Sequence, residues 1–168
     1  MSATRWNATK LGTALSCLMI ANTLFCYHVL HWPFRGNTMI INYSIFIIGL
    51  ILIIIRFGIQ QSSAQLSQYF SEGFKTFIVV TFIIVLFSFI MIKVYPDAMQ
   101  LDQFLKENSQ QINEAKVKQS QEIDANTAEI RSHFTTITIA WMTISHLLLG
   151  TLFTFVTGGI MSSLKTKK

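Results

Sequence analysis

Four histidines are the side chains in this chain best suited to acid–base or ligand chemistry: His28, His31, His133 and His146. His28 and His31 are three apart, which sets them on one helix face with Cys26 close by. Neutral imidazole is a common metal ligand, so this trio is a candidate metal site. No carboxylate stands at a fixed spacing from it, and Trp32 follows directly. Ring residues at a water–lipid boundary account for the same pattern more simply. No metal and no other cofactor is expected.

His146 is the sharper case. It follows Ser145 inside a long run without Asp, Glu, Lys or Arg. An ionisable side chain in such a run is costly to bury in lipid and is a functional-site candidate by default. A proton relay would need an acidic partner at similar depth, yet no apolar run contains Asp or Glu. A b-type haem would need a second histidine at the same level, and His28 lies several residues nearer the end of its own run. The simpler reading is a neutral imidazole bonded to a neighbouring hydroxyl or carbonyl; the alternative is that His146 lines a polar path. Cys17 and Cys26 are nine apart on one helix, so their side chains diverge and read as small packing residues. Ser16 and Ser145 have no base and orienting group around them, which removes nucleophilic catalysis. No glycine-rich phosphate loop or basic nucleic-acid stripe is present. The chain is not expected to be an enzyme.

The clearest spacing is structural. Gly150, Thr154, Gly158 and Ser162 recur every four residues, as do Ala8, Gly12 and Ser16. Small residues at this interval let helix backbones approach closely, and association within a membrane depends on such contact. The two stripes predict that the first and last helices pack together, through Gly12, Ser16, Gly150, Thr154 and Gly158, within one chain or between chains.

The elements that carry these residues follow from composition. The chain has 168 residues, 51% of them hydrophobic and 12% charged, with a net charge of +5. Ordinary soluble chains carry about 25% charged residues. Seven of the eight acids lie between Pro96 and His133, so the averages mix two materials. About 20 apolar residues of helix cross a hydrocarbon core, and four stretches qualify: 11–32, 38–57, 75–95 and 134–160. Only helices close their own backbone hydrogen bonds at that length in lipid. The predicted fold is therefore all-α, a polytopic membrane protein of four transmembrane helices. Trp32-Pro33 and Tyr95-Pro96 mark two helix ends, because proline disfavours helix in the residue before it. Tyr27, Trp32, Tyr43 and Tyr95 sit near the expected interfaces.

Residues 96–133 form a polar insert rich in Gln, Asn, Ser, Lys and Glu, expected to be helical and to lie outside the cytoplasm. The stretch 58–73 mixes Ile59, Leu66, Tyr69 and Phe70 with polar residues, a pattern for a loop lying on the inner leaflet. Four spans put both termini on one side. That side carries a net +6 and the insert side −1. A lysine cluster abutting the last span places the termini in the cytoplasm.

One further order of features stands out. Asn42-Tyr43-Ser44-Ile45 leads into an isoleucine-rich span ending at Arg56. Ser71-Glu72-Gly73-Phe74-Lys75 opens the third span, and His146-Leu147-Leu148-Leu149-Gly150 lies in a phenylalanine-rich fourth span with a lysine-rich end. Over nearly the whole chain this resembles the domain-of-unknown-function family 4199, small inner-membrane proteins mainly of the Bacteroidota. The resemblance implies a four-span bacterial inner-membrane protein and no particular activity or catalytic residue. The family's insert is often acidic and methionine-rich, whereas this one is rich in Gln and Asn. The expected function is a non-enzymatic subunit or scaffold that acts by helix packing and through its insert. The expected partners are the lipid bilayer and another membrane protein or a second copy. The alternative is a small oligomeric channel or transporter with His146 on its path.

Overall fold

The computed structural model describes residues 8–34, 36–61, 64–95 and 123–166, with side chains of the last stretch described for 133–164. The insert from 96 to 122, Arg5 and Arg35 lie outside the described residues. The described chain is all-helical: α1 (Ala8–His28), α2 (Asn37–Gln60), α3 (Leu66–Val94) and α4 (Ile123–Thr166). Each of the four contains a stretch long and apolar enough to cross a membrane, the fourth over His133–Leu164. This is the architecture of a multi-pass membrane protein.

The helices run up and down in sequence. α1 stops at His28, a turn before Pro33. His31 takes a left-handed φ of 54°, and the Trp32 N–H closes the turn by donating to the Cys26 carbonyl at 3.0 Å. α2 opens after Gly36, whose φ of 75° is the conformation glycine adopts most cheaply.

α3 begins more than two turns earlier than its apolar run predicts. The Gln65 N–H donates to the Gln68 side-chain oxygen at 3.0 Å, as in a capping box. The stretch from Leu66 to Gly73 is therefore helix rather than a loop lying on the membrane. The reason is tertiary: Tyr69 is fully buried and its ring meets Phe57 edge-on at 5.5 Å. α4 is also longer than its span. Its first residues belong to the predicted insert and continue the helix about 15 Å beyond Phe134, at about 1.5 Å per residue.

α3 is the hub of the bundle. It packs against α1, α2 and α4, while α2 also touches α1 and α4. The first and last helices do not form one of the bundle's packed pairs. Within the chain both small-residue stripes turn to α3. A Cβ on Gly12 would lie 2.9 Å from the Thr76 carbonyl oxygen and 3.2 Å from Val79. One on Gly150 would lie 2.6 Å from the Phe77 ring, and one on Gly158 3.0 Å from Tyr69. Thr154 fills the space above Gly73. Ser16 is buried and donates to the Gly12 carbonyl at 2.8 Å.

Between these contacts lies a core of Leu15, Met19, Phe46, Leu50, Ile54, Phe77 and Val80. Ile40, Leu52, Phe82, Trp141, Leu148 and Phe155 are exposed on the outer faces. Helices that are apolar inside and out fit a hydrocarbon surround.

Gly150 and Gly159 make a matched pair for testing the hub. Gly150→Ala should overpack the Phe77 contact and destabilise the bundle by about 1–3 kcal/mol. Gly159→Ala, with nothing within 4 Å of its Cβ position, should leave the thermal midpoint in detergent unchanged or slightly raised.

Candidate functional site

Two groups of polar side chains lie inside the bundle on the side of the loop end, where α1 meets α2 and α3 leads into the insert. The first group ties α1 to α2. Asn22 Nδ2 donates to Asn42 Oδ1 at 2.9 Å, and Asn42 Nδ2 donates to Thr23 Oγ1 at 2.6 Å. The Thr23 hydroxyl passes the chain on to the Met19 carbonyl at 2.9 Å. The Cys26 thiol lies 3.9 Å from Asn22 Oδ1. Chains of this kind polarise one another and hold one register between two helices.

The second group surrounds His146, which is 98% buried. Its Nδ1 lies 2.8 Å from the Met142 carbonyl oxygen one turn back. A carbonyl can only accept, so Nδ1 carries the proton and Nε2 presents a lone pair. Nε2 is buried and has no hydrogen-bond partner. The ring packs against Tyr43 at 5.0 Å and Phe46 at 5.1 Å between centroids. The Tyr43 hydroxyl is buried and has no hydrogen-bond partner. Tyr43, expected at the interface, is thus part of an inner wall.

These two groups line one cavity of about 50 Å³. Asn42, Thr23, Tyr43 and His146 contribute to it, with Ser88 of α3 and Thr138 of α4 opposite. Phe34, from the loop between α1 and α2, covers part of its upper end and packs with Met91, Ile92 and Phe134. The cavity runs from there down to His146, level with the second and third turns of α2. Among the described residues its lining holds no Asp, Glu, Lys or Arg. A cavity of this size and polarity takes a few waters or one small solute.

The other sequence candidates are placed elsewhere. Cys26 is buried and faces Asn22, whereas His28 is exposed and stacks edge-on with Tyr95 at 6.2 Å between centroids. Among the described residues no three His, Cys, Asp or Glu side chains converge on a metal-sized space. Gly12, Ser16, Gly150, Thr154 and Gly158 are all spent on contacts inside the bundle. Asn22 and Asn42 carry the polar network, and sequence reasoning missed their role. The available signal was two amides inside apolar runs, where polar groups are expensive.

No family model, curated protein or solved structure matches the chain.

The network predicts a specific non-additivity. Asn42→Ala should lower stability by about 1–2 kcal/mol, since it strands the Asn22 amide. Asn22→Ala in that background should cost little more. A double-mutant cycle on thermal midpoints in detergent measures the coupling.

Proposed function

We propose that this protein is a non-enzymatic membrane subunit that receives a small solute or ion in the cavity ending at His146. The observation that carries this reading is the bare, unpartnered Nε2 of a buried histidine at the inner end of a polar-lined space. A buried acceptor without a partner costs free energy, and a ligand that binds there recovers it. Among the described residues the lining has no base, nucleophile and orienting group set together, so binding fits it better than catalysis.

The scaffold reading loses its main support, because the small-residue stripes face α3 and offer nothing to a partner. A pore through one bundle is likewise unsupported. On the side of His146 towards the termini, Phe46, Leu50, Ile54, Phe77, Val80 and Tyr69 fill the interior. The cavity is thus reached from the loop end, and any passage to the other side requires the bundle to rearrange.

We further assign both termini to the cytoplasm and the protein to a bacterial inner membrane. The basic excess on the terminal side and the resemblance to the domain-of-unknown-function family 4199 support that assignment. A second reading, docking of another membrane protein, is favoured by the extension of α4 beyond the span.

Cysteine accessibility tests the cavity. In a Cys17→Ala/Cys26→Ala background, Met39→Cys and Thr138→Cys should react with a water-soluble maleimide added from the insert side. Leu50→Cys and Val80→Cys should stay unlabelled in the folded protein. Equal protection at all four positions contradicts a solute-accessible cavity.

A further inference from the structure

The cavity has a second property that the solute reading does not use. Five methionines lie among the described residues, and four of them line this one cavity. Each comes from a different helix: Met19 from α1, Met39 from α2, Met91 from α3 and Met142 from α4. The fifth, Met161, packs beside Gly58 away from the cavity. His146 lies one turn beyond Met142 on the same helix, with its Nε2 buried and unpartnered.

We propose that this cavity is a binding site for a soft monovalent metal ion, Cu(I), held by His146 Nε2 with the thioethers of Met142 and Met19, the cavity methionines that pack in the same cluster as Phe46 beside His146. The proposal rests on the cavity reading above and names its ligand class. Three arguments carry it.

The first is donor chemistry. Thioether sulfur and neutral imidazole are soft to intermediate donors that select Cu(I), while carboxylate and carbonyl oxygen suit Mg²⁺, Ca²⁺ and Mn²⁺. Among the described residues no carboxylate lines the cavity, so none of them offers a hard divalent cation a neutralising ligand. A lone histidine without cysteine also falls short of the sets that hold zinc.

The second is orientation. Metal-bound histidines usually donate their other ring N–H to a carbonyl or carboxylate, which fixes the tautomer and aims the free nitrogen at the ion. The 2.8 Å contact from Nδ1 to the Met142 carbonyl is that arrangement. The tautomer is set without any metal present.

The third is size and charge. About 50 Å³ suits an ion with little hydration rather than a drug-sized molecule, which needs several hundred Å³. A single positive charge is the least costly to hold where neutral ligands supply no compensation.

Methionine also serves as a flexible filler of irregular gaps, and leucine would fill the same space without a sulfur. That contrast defines the test. The full-length Cys17→Ala/Cys26→Ala protein is purified in detergent under anaerobic conditions and competed against a chromogenic Cu(I) chelator, with Ag(I) as a redox-inert probe. The expected result is one Cu(I) per chain. Affinity should fall at least tenfold in Met19→Leu/Met142→Leu, which conserves side-chain volume, and again in His146→Ala. Met161→Leu should bind as the parent does. Thermal midpoints confirm that the leucine variants are folded. No uptake of Cu(I), or uptake that the Met19→Leu/Met142→Leu change leaves intact, overturns the proposal. The maleimide pattern at Met39→Cys and Thr138→Cys is read on the same preparations. Labelling there without Cu(I) binding removes the metal and leaves the cavity; protection throughout removes both.

Discussion

The structure depends on the close approach of α3 to its neighbours. In lipid the faces of two apolar helices gain nothing by leaving the solvent, since the surrounding tails are as apolar as they are. What holds them is contact density, and that requires one side of each contact to be small. Gly12 against Thr76 and Val79, Gly150 against Phe77, and Gly158 against Tyr69 meet that requirement along α3. Gly73 reverses the roles, giving its own space to Thr154. The first and last helices are thereby fixed to a common partner.

This constraint also explains why the cavity is where it is. Gly12, Gly58, Gly73 and Gly158 lie towards the terminal end, and their contacts are filled by Tyr69, Met161, Thr154 and Thr76. Towards the loop end the helices face each other through Met19, Met39, Met91 and Met142, long flexible side chains that leave space between them. Polar groups collect beside that space, and the Asn22–Asn42–Thr23 chain holds α1 and α2 in register around it. Close packing at one end and a lined gap at the other belong to one design. The interior on the terminal side of His146 is filled by Phe46, Leu50, Ile54, Phe77, Val80 and Tyr69.

Much of the architecture was legible from residues alone. Long runs without charge leave helix as the only backbone solution in lipid, and four such runs give four helices. Their ends were less legible. Leu66 to Gly73 carries enough polar residues to resemble a surface loop, and only the burial of Tyr69 against Phe57 makes it helix. The partner of each small stripe was not legible either, because a stripe on one helix records that something approaches and not what. Thr154 and Gly12 pointed to a contact, and α3 supplied it. The cavity was the least visible feature: Met19 and Met142 stand far apart in the chain, and nothing local marks either as more than an apolar residue. His146 was visible because an ionisable group in an apolar run is anomalous on its face.

The chemistry of the cavity depends on the protonation state of His146. Solid-state NMR of ¹⁵N-histidine-labelled protein in bilayers, with His146 assigned by comparison with His146→Gln, reads the two ring nitrogens directly. A neutral ring with the proton on Nδ1 and a bare Nε2 is the predicted result. A ring protonated on Nε2, or on both nitrogens at neutral pH, contradicts it and removes the acceptor on which the site is built.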